Sequence, residues 1–330
     1  MIHSIRQTMP GFTIALIVAL AAMFLNGHYG APTMLFALLL GLAIGFLNDS
    51  PKIQPGIAFT AKKLLRIGVA LLGLRIALSD VTALGLKPVL LIIVGVFSTI
   101  AVGLVLAKLL GFRKRFGVLT GGAVAICGAS AAMAISSVMP KEKGLERDTI
   151  FAVVGVTTLS TLAMIVYPII TNYLGYSDSQ AGLFMGGTIH DVAQVIGAGF
   201  SVSQETGELS TLTKMMRVAM LVPVVMMIAF AFQARAKASG SAHSGTAPTF
   251  PFFLLAFIGL VLLNSFVDIP TTVKDPLINL SKFCLVISIV AIGIKTRLQE
   301  IFELGIKPII LIVLETLWIA ILFLVAIPYL

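Results

Sequence analysis

The sequence predicts an all-helical polytopic membrane protein of about nine to eleven spans, with inverted internal repeats and two broken helices or re-entrant hairpins. Three observations predict it. Of 330 residues, 58% are hydrophobic and 11% charged, where soluble domains carry roughly a quarter charged residues. The mean hydropathy is +1.06. Two stretches of the chain also repeat earlier ones.

Lipid offers the backbone no partner, so spanning segments are helices of roughly 17–25 apolar residues. Such runs lie at 10–27, 32–48, 64–80, 86–110, 148–174, 214–233, 250–267, 281–297 and 306–328. The first is an uncleaved helix and not a secretory signal, because so many spans follow. Two further stretches, 116–139 and 180–203, are long enough to span but are interrupted by glycine. The domain reading follows: an N-terminal helix (1–32), first-repeat helices with a scaffold character (33–111), a central core holding both broken stretches (112–233), a flexible cytoplasmic loop (234–249) and second-repeat helices (250–330).

A shift of 220 residues aligns "GLRIALSDVTALGLKPVLLIIV" (73–94) with "GIKTRLQEIFELGIKPIILIVL" (293–314) without a gap, matching Arg75 to Lys295. A weaker likeness joins "TGGAVAICGASA" (120–131) to "MGGTIHDVAQVI" (185–196). Repeats of this kind typify secondary transporters, whose inverted copies meet near the midplane. Lys87–Pro88 and Lys307–Pro308 read as helix starts.

Charge sets the orientation. The 23 Lys+Arg exceed the 14 Asp+Glu, but basic cytoplasmic loops explain that excess without a nucleic-acid partner. Arg6, Lys52, Lys62, Lys63, Lys108, Arg113 to Arg115, Arg235, Lys237, Lys295 and Arg297 can all be cytoplasmic, while loops near 27–32, 172–180 and 202–213 lack Lys and Arg. The basic loop 141–148 is cytoplasmic only if 116–139 enters and leaves on one face, which favours the re-entrant form over a full crossing. The reading is a bacterial inner membrane protein embedded in lipid, with a homodimer left open.

Non-helical backbone at membrane depth persists only where protein or a water-filled cavity surrounds it. "LTGGAVAICGASAAMAISS" (119–137) and "GGTIHDVAQVIGAG" (186–199) consist of small residues, and the second adds His190, Asp191 and Gln194. Small residues also suit tight helix packing, whereas ionisable groups in a membrane are costly and usually functional. The exposed ends of broken helices offer N–H groups and a positive dipole to an anion. The candidate substrate site comprises Thr120, Gly121, Gly122, Cys127, Gly128, Ala129, Ser130, Gly186, Gly187, Thr188, Gln194 and Arg217. A sodium or neutral-solute site uses similar parts. His190, Asp191 and Glu315 are the candidate coupling groups, for protons or sodium. Glu315 reads equally as a proton relay and as a permanently protonated structural acid. Arg217, about one turn into its span, is expected to snorkel or to touch substrate. Arg217→Gln should then weaken binding only partly. Gly128→Val or Gly187→Val should abolish transport with folding intact. His3, His28 and His243 sit in terminal or loop segments, so no metal centre is expected. Cys127 and Cys284 lack redox spacing, and no cofactor is expected.

"GVALLGLRI" (68–76), "GGAVAICGASAAMA" (121–134), "GGTIHDVAQVIGAG" (186–199) and "KMMRVAMLVPVV" (214–225) resemble the YeiH-type sulfate exporter family. The resemblance runs from about residue 33 to the C-terminus, with the family signature falling on Ile126 to Ser130 and Gly186 to Gln194. It implies membership of the cation–proton antiporter and anion transporter superfamily, with a mobile core, a fixed scaffold and elevator-like movement. It implies a transporter first and a sulfur oxyanion or organosulfonate second. A passive channel would leave Asp191 and Glu315 unexplained. An intramembrane enzyme would use His190–Asp191 with Cys127 or Ser130 as nucleophile, and there is neither a GxSxG elbow nor an ATP-binding GxxxxGK[ST] loop.

Overall fold

The computed structural model describes residues 2–29, 32–83, 85–140, 144–238, 252–296 and 305–330, and these contain helices and no strand. The helices are α1 (Ile2–Tyr29), α2 (Thr33–Ala43), α3 (Gln54–Phe59), α4 (Leu65–Leu72), α5 (Leu78–Ala83), α6 (Leu86–Leu109), α7 (Lys114–Ala125), α8 (Ala129–Val138), α9 (Leu145–Tyr173), α10 (Asp178–Thr188), α11 (Val192–Val202), α12 (Gln204–Ala219), α13 (Leu221–Ala238), α14 (Phe252–Phe266), α15 (Thr271–Lys295) and α16 (Ile306–Ala326). Six stretches are long and apolar enough to cross a bilayer: Gln7–His28, Leu86–Leu109, Leu145–Tyr173, Gln204–Phe232, Thr271–Lys295 and Ile306–Tyr329. The other three expected spans are helical but shorter or irregular. The span expected at 64–80 instead runs through α3, a π turn and α4, ending in a 3-10 turn at Arg75. The loop expected near 202–213 is helix: α12 starts two residues after α11 ends. Arg297, most of the 234–249 loop and residues 141–143 lie outside the described residues.

Both glycine-interrupted stretches fold back on themselves. In the first, α7 ends at Ala125 and α8 begins at Ala129, and Gly122 lies against Ile135 thirteen residues on. A continuous helix would separate that pair by about 20 Å. In the second, α10 ends at Thr188 and α11 begins at Val192. Gly186 and Gly199 both abut Ser210 of α12. At the foot of this hairpin the Ser203 hydroxyl donates to Asp178 Oδ1, and the Thr206 hydroxyl donates to the same oxygen. The re-entrant form is therefore the one adopted.

The 29-residue α9 joins the end of the first hairpin to the start of the second. At 1.5 Å per residue it is about 43 Å long, so the two hairpins join opposite ends of α9. The first foot carries the basic Lys108 and Arg113 to Arg115, as the positive-inside rule expects of a cytoplasmic foot, and the second carries no Lys or Arg. Helices α6 and α16, which begin in the two matched segments, run antiparallel. Lys87 Nζ reaches Tyr329 O at 3.4 Å, Trp318 Nε1 reaches Ser98 Oγ at 3.1 Å, and Gly103 faces Glu315. The α6 backbone approaches α7 through Gly103 and Gly117, where any Cβ would strike the opposing carbonyl. So α6, expected with the scaffold helices, packs on the hairpin core.

Candidate functional site at the crossed hairpin tips

The tips meet where the sequence places its breaks. Gly128 has φ +61°, a left-handed conformation that glycine alone adopts without strain. A Cβ there would sit 3.7 Å from the His190 backbone and Cβ. Gly187, in contrast, faces Phe323 of α16, where an added Cβ would overlap the ring. Gly187→Val is thus expected to disturb the fold as well as transport, lowering the melting temperature of the detergent-solubilised protein. Gly128→Val carries only local backbone strain.

Helix α12 holds both tips from one side. Its early turns carry Thr206, Ser210 and Thr213, all buried, and Gly182, Gly186 and Gly199 of the hairpin press against them. Ten residues into α12, about 15 Å along it, stands Lys214. Its ammonium is fully buried and donates to Ile126 O at 2.7 Å, Ile189 O at 2.9 Å and His190 O at 2.5 Å. One turn on, the buried Arg217 donates to Val124 O (2.8 Å), Ala125 O (2.7 Å from Nη2 and 2.9 Å from Nε), Gly186 O (3.2 Å) and Ile189 O (3.0 Å). These oxygens are the carbonyls left open at the C-terminal ends of α7 and α10, where the helix dipoles are negative. Two cations therefore neutralise both carbonyl ends at once. Arg217 neither snorkels nor presents a free donor, because the hairpin backbone occupies its guanidinium.

The opposite polarity is less fully occupied: the Asp191 carboxyl lies against the Val192 and Ala193 N–H groups, and the Cys127 thiol against the Ala131 N–H. Gly128 caps α8 and Asp191 caps α11, and neither makes a side-chain capping bond to its helix. Ser130 is exposed and Ala129 and Asp191 half-buried, so this edge of the crossing is the accessible one. The Asp191 N–H donates to Ser160 Oγ at 3.0 Å, and Gln194 Nε2 approaches Thr161 Oγ1 at 3.4 Å, so α9 supports the second tip. His190 Nε2 lies 2.9 Å from Thr316 Oγ1, whose own proton goes to Ile312 O at 2.8 Å. Nε2 is then the donor in that contact, and Nδ1 has no hydrogen-bond partner. Four buried polar atoms around the crossing have no hydrogen-bond partner: His190 Nδ1, Gln194 Oε1, Thr213 Oγ1 and Glu315 Oε2. Such atoms are rare in native interiors and call for an explanation.

The remaining expected residues divide. Thr188 donates to Phe184 O at 2.6 Å and is fully buried, which turns its hydroxyl away from a ligand. Gly121 packs on Thr99 and Ile100 of α6, and Gly122 on Ile135. Thr120 Oγ1 lies 3.0 Å from Phe116 O and 2.8 Å from Glu315 Oε1. A hydroxyl has one proton, so both contacts are hydrogen bonds only when the carboxyl is the donor and neutral. Glu315 thus sits with Thr120 on the α6–α7–α16 side, one residue from the Thr316 that holds His190. Cys127 is buried in the first tip. Lys214, Thr316, Ser160 and Thr161 were not singled out from the sequence. Among the described residues no group of three His, Cys, Asp or Glu is placed to hold a metal.

Comparison with known proteins places the chain. The family described as conserved hypothetical protein 698 matches residues 10–312. A UPF0324 membrane protein of Chlorobaculum tepidum is 49% identical over 96% of this chain and 88% of its own. The UPF0324 membrane protein TauZ of Paracoccus denitrificans is 48% identical over 96% and 94%, and one of Rhizobium meliloti 48% over 97% and 93%. Among solved structures, a sodium proton antiporter of Methanocaldococcus jannaschii aligns over 97% of this chain and 99% of its own at 15% identity, with a TM-score of 0.30, too low to carry an argument. The YeiH-type resemblance agrees with these matches, and the chain belongs to the conserved hypothetical protein 698 family of UPF0324 membrane proteins.

Proposed function

We propose that the protein is a secondary active transporter of a small anion, a sulfur oxyanion or organosulfonate, which it exports across the bacterial inner membrane. The observation that carries this reading is the asymmetry of the crossing. Both carbonyl ends are neutralised by Lys214 and Arg217, while the N–H ends of α8 and α11 face only the Cys127 thiol at Ala131 and the Asp191 carboxyl at Val192 and Ala193, with no cation beside them. Paired helix N-termini attract an anion through free N–H groups and aligned dipoles. The first-turn amides at Ala129 and Ser130, the Ser130 hydroxyl and the Gln194 amide form the cradle. The choice of a sulfur oxyanion rests on the family resemblance, and the choice of an anion on the helix ends.

Asp191 supplies the coupling. A carboxylate at the mouth of a cradle that attracts anions repels substrate when charged and admits it when protonated or paired with sodium. Proton or sodium occupancy thereby sets anion affinity. The His190 ring is bonded to Thr316, which favours the transport reading over a nucleophilic enzyme built on Cys127 or Ser130.

In sealed proteoliposomes loaded with radiolabelled sulfate or taurine, an imposed pH or sodium gradient is expected to drive movement of the anion against its own gradient. Equilibration of the anion regardless of the ion gradient would instead identify a channel. No flux of any oxyanion or sulfonate would reject the transport reading.

A further inference from the structure

Away from the hairpin tips, a cavity of about 460 Å³ is lined by Arg75, Lys274, Asp275, Ile278, Asn279 and Lys282. It lies at the face opposite the basic cytoplasmic loops. α6 crosses between Arg75 and Lys108, and α15 begins at Thr271 on the same side and ends at Lys295. That face is otherwise poor in cations, its loops near 27–32 and 172–180 having none. Lys274, Ile278 and Lys282 are spaced by four and line one side of α15. Lys282 stands eleven residues into that helix, about 16 Å along it, within an apolar stretch. Its side chain is exposed and opens onto the cavity.

Arg75 is already engaged. Its Nε lies 2.6 Å from Glu208 Oε1, with both side chains about a quarter exposed (25% and 24%). The pair ties the turn after α4 to the second turn of α12, the helix that carries Lys214. Arg75, Lys274 and Lys282 thus face Asp275 and Glu208, three positive charges against two negative, and the surplus is positive. Asn279 adds an uncharged donor.

We propose that this cavity is an outer binding chamber for a small oxyanion such as sulfate or a sulfonate, in which the anion competes with Glu208 for Arg75. Only the identity of the anion rests on the transport reading. Lys274 and Lys282 hold the anion from α15 and Arg75 swings from carboxylate to anion. Occupancy thereby releases the tie between the α4 turn and α12. The chamber is the point of release to, or capture from, the outer solution, distinct from the cradle at the tips.

Isothermal titration of the purified full-length protein with sulfate and with methanesulfonate tests this. Lys274→Gln with Lys282→Gln is expected to weaken binding roughly three- to tenfold and to flatten its salt dependence. Lys282→Arg should restore most of the affinity. Glu208→Gln frees Arg75 and should tighten binding about two- to fivefold, the opposite of what loss of a structural bridge would do. Unchanged affinity in the double lysine variant, weaker binding in Glu208→Gln, or no binding of either anion by the unaltered protein would overturn the chamber. Loss of transport with the chamber affinities as expected would count against the transport reading alone.

Discussion

Replacing Lys214 by Met is expected to uncouple the two hairpin tips and to abolish transport. The ammonium satisfies three carbonyls at membrane depth, and methionine satisfies none. Ile189 O keeps its bond from Arg217, and leaving the other two buried acceptors unpaired costs about 1–3 kcal/mol each, so a loss on the order of 2–6 kcal/mol is expected. Arg217→Gln follows the same logic. Glutamine can serve one or two of the four carbonyls that Arg217 serves, so the effect is large, in contrast to the partial weakening expected for a residue that only touches substrate. The measurement is thermal unfolding of the solubilised protein, with limited proteolysis at the tips. Wild-type melting and wild-type flux in Lys214→Met would show that the crossing needs no cation.

Asp191→Asn is expected to remove the pH dependence of transport while leaving the fold intact. The side chain is half-buried, lies against the first-turn N–H groups of Val192 and Ala193 and stands at the accessible edge of the crossing. Asparagine keeps its shape and removes its charge, so anion flux through Asp191→Asn should be level between about pH 5 and 8, where unperturbed histidine and shifted carboxylates titrate. His190→Ala is expected to impair transport more than Glu315→Gln. Alanine breaks the link to Thr316 on α16, while glutamine keeps a side-chain oxygen to accept from Thr120. Sodium coupling makes the opposite prediction for the first variant: flux keeps its pH profile and loses its sodium dependence. A wild-type rate and profile in Asp191→Asn under both gradients would return residues 188–197 to a packing role.

The breaks in the two hairpins were legible in the sequence because glycine and small residues leave a gap in an apolar run that physics otherwise keeps continuous. The loops supplied the rest: a basic foot for one hairpin and a cation-free foot for the other. Lys214 was not legible. It stands behind "QETGELSTLT" (204–213), which reads as a polar loop by hydropathy, so the lysine looked like the interfacial start of a span. The structure makes that stretch the first turns of α12, with its hydroxyls buried against hairpin glycines. Polarity satisfied by a neighbouring backbone carries no mark in a hydropathy profile. A periodic run of Thr and Ser beside a glycine-rich segment is the signal that could have revealed it. The Glu315–Thr120 and His190–Thr316 contacts join positions 195 and 126 residues apart, a pairing that spacing along a single chain does not encode.

The bonds from Lys214 and Arg217 also limit the ways in which the machinery can move. Each cation holds backbone from both hairpins, and the two are one helical turn apart on the same helix. Sliding one tip past the other by an ångström or two would break several of these bonds together. The crossing therefore behaves as a riveted joint with almost no internal freedom, and neither hairpin can serve as a door on its own. On the transport reading proposed above, exposing the cradle first to one solution and then to the other would displace the joint whole. On that reading the movement would fall on the seams where α11 packs on α2 and α15 and α12 on α14, with the Arg75–Glu208 pair bridging that region.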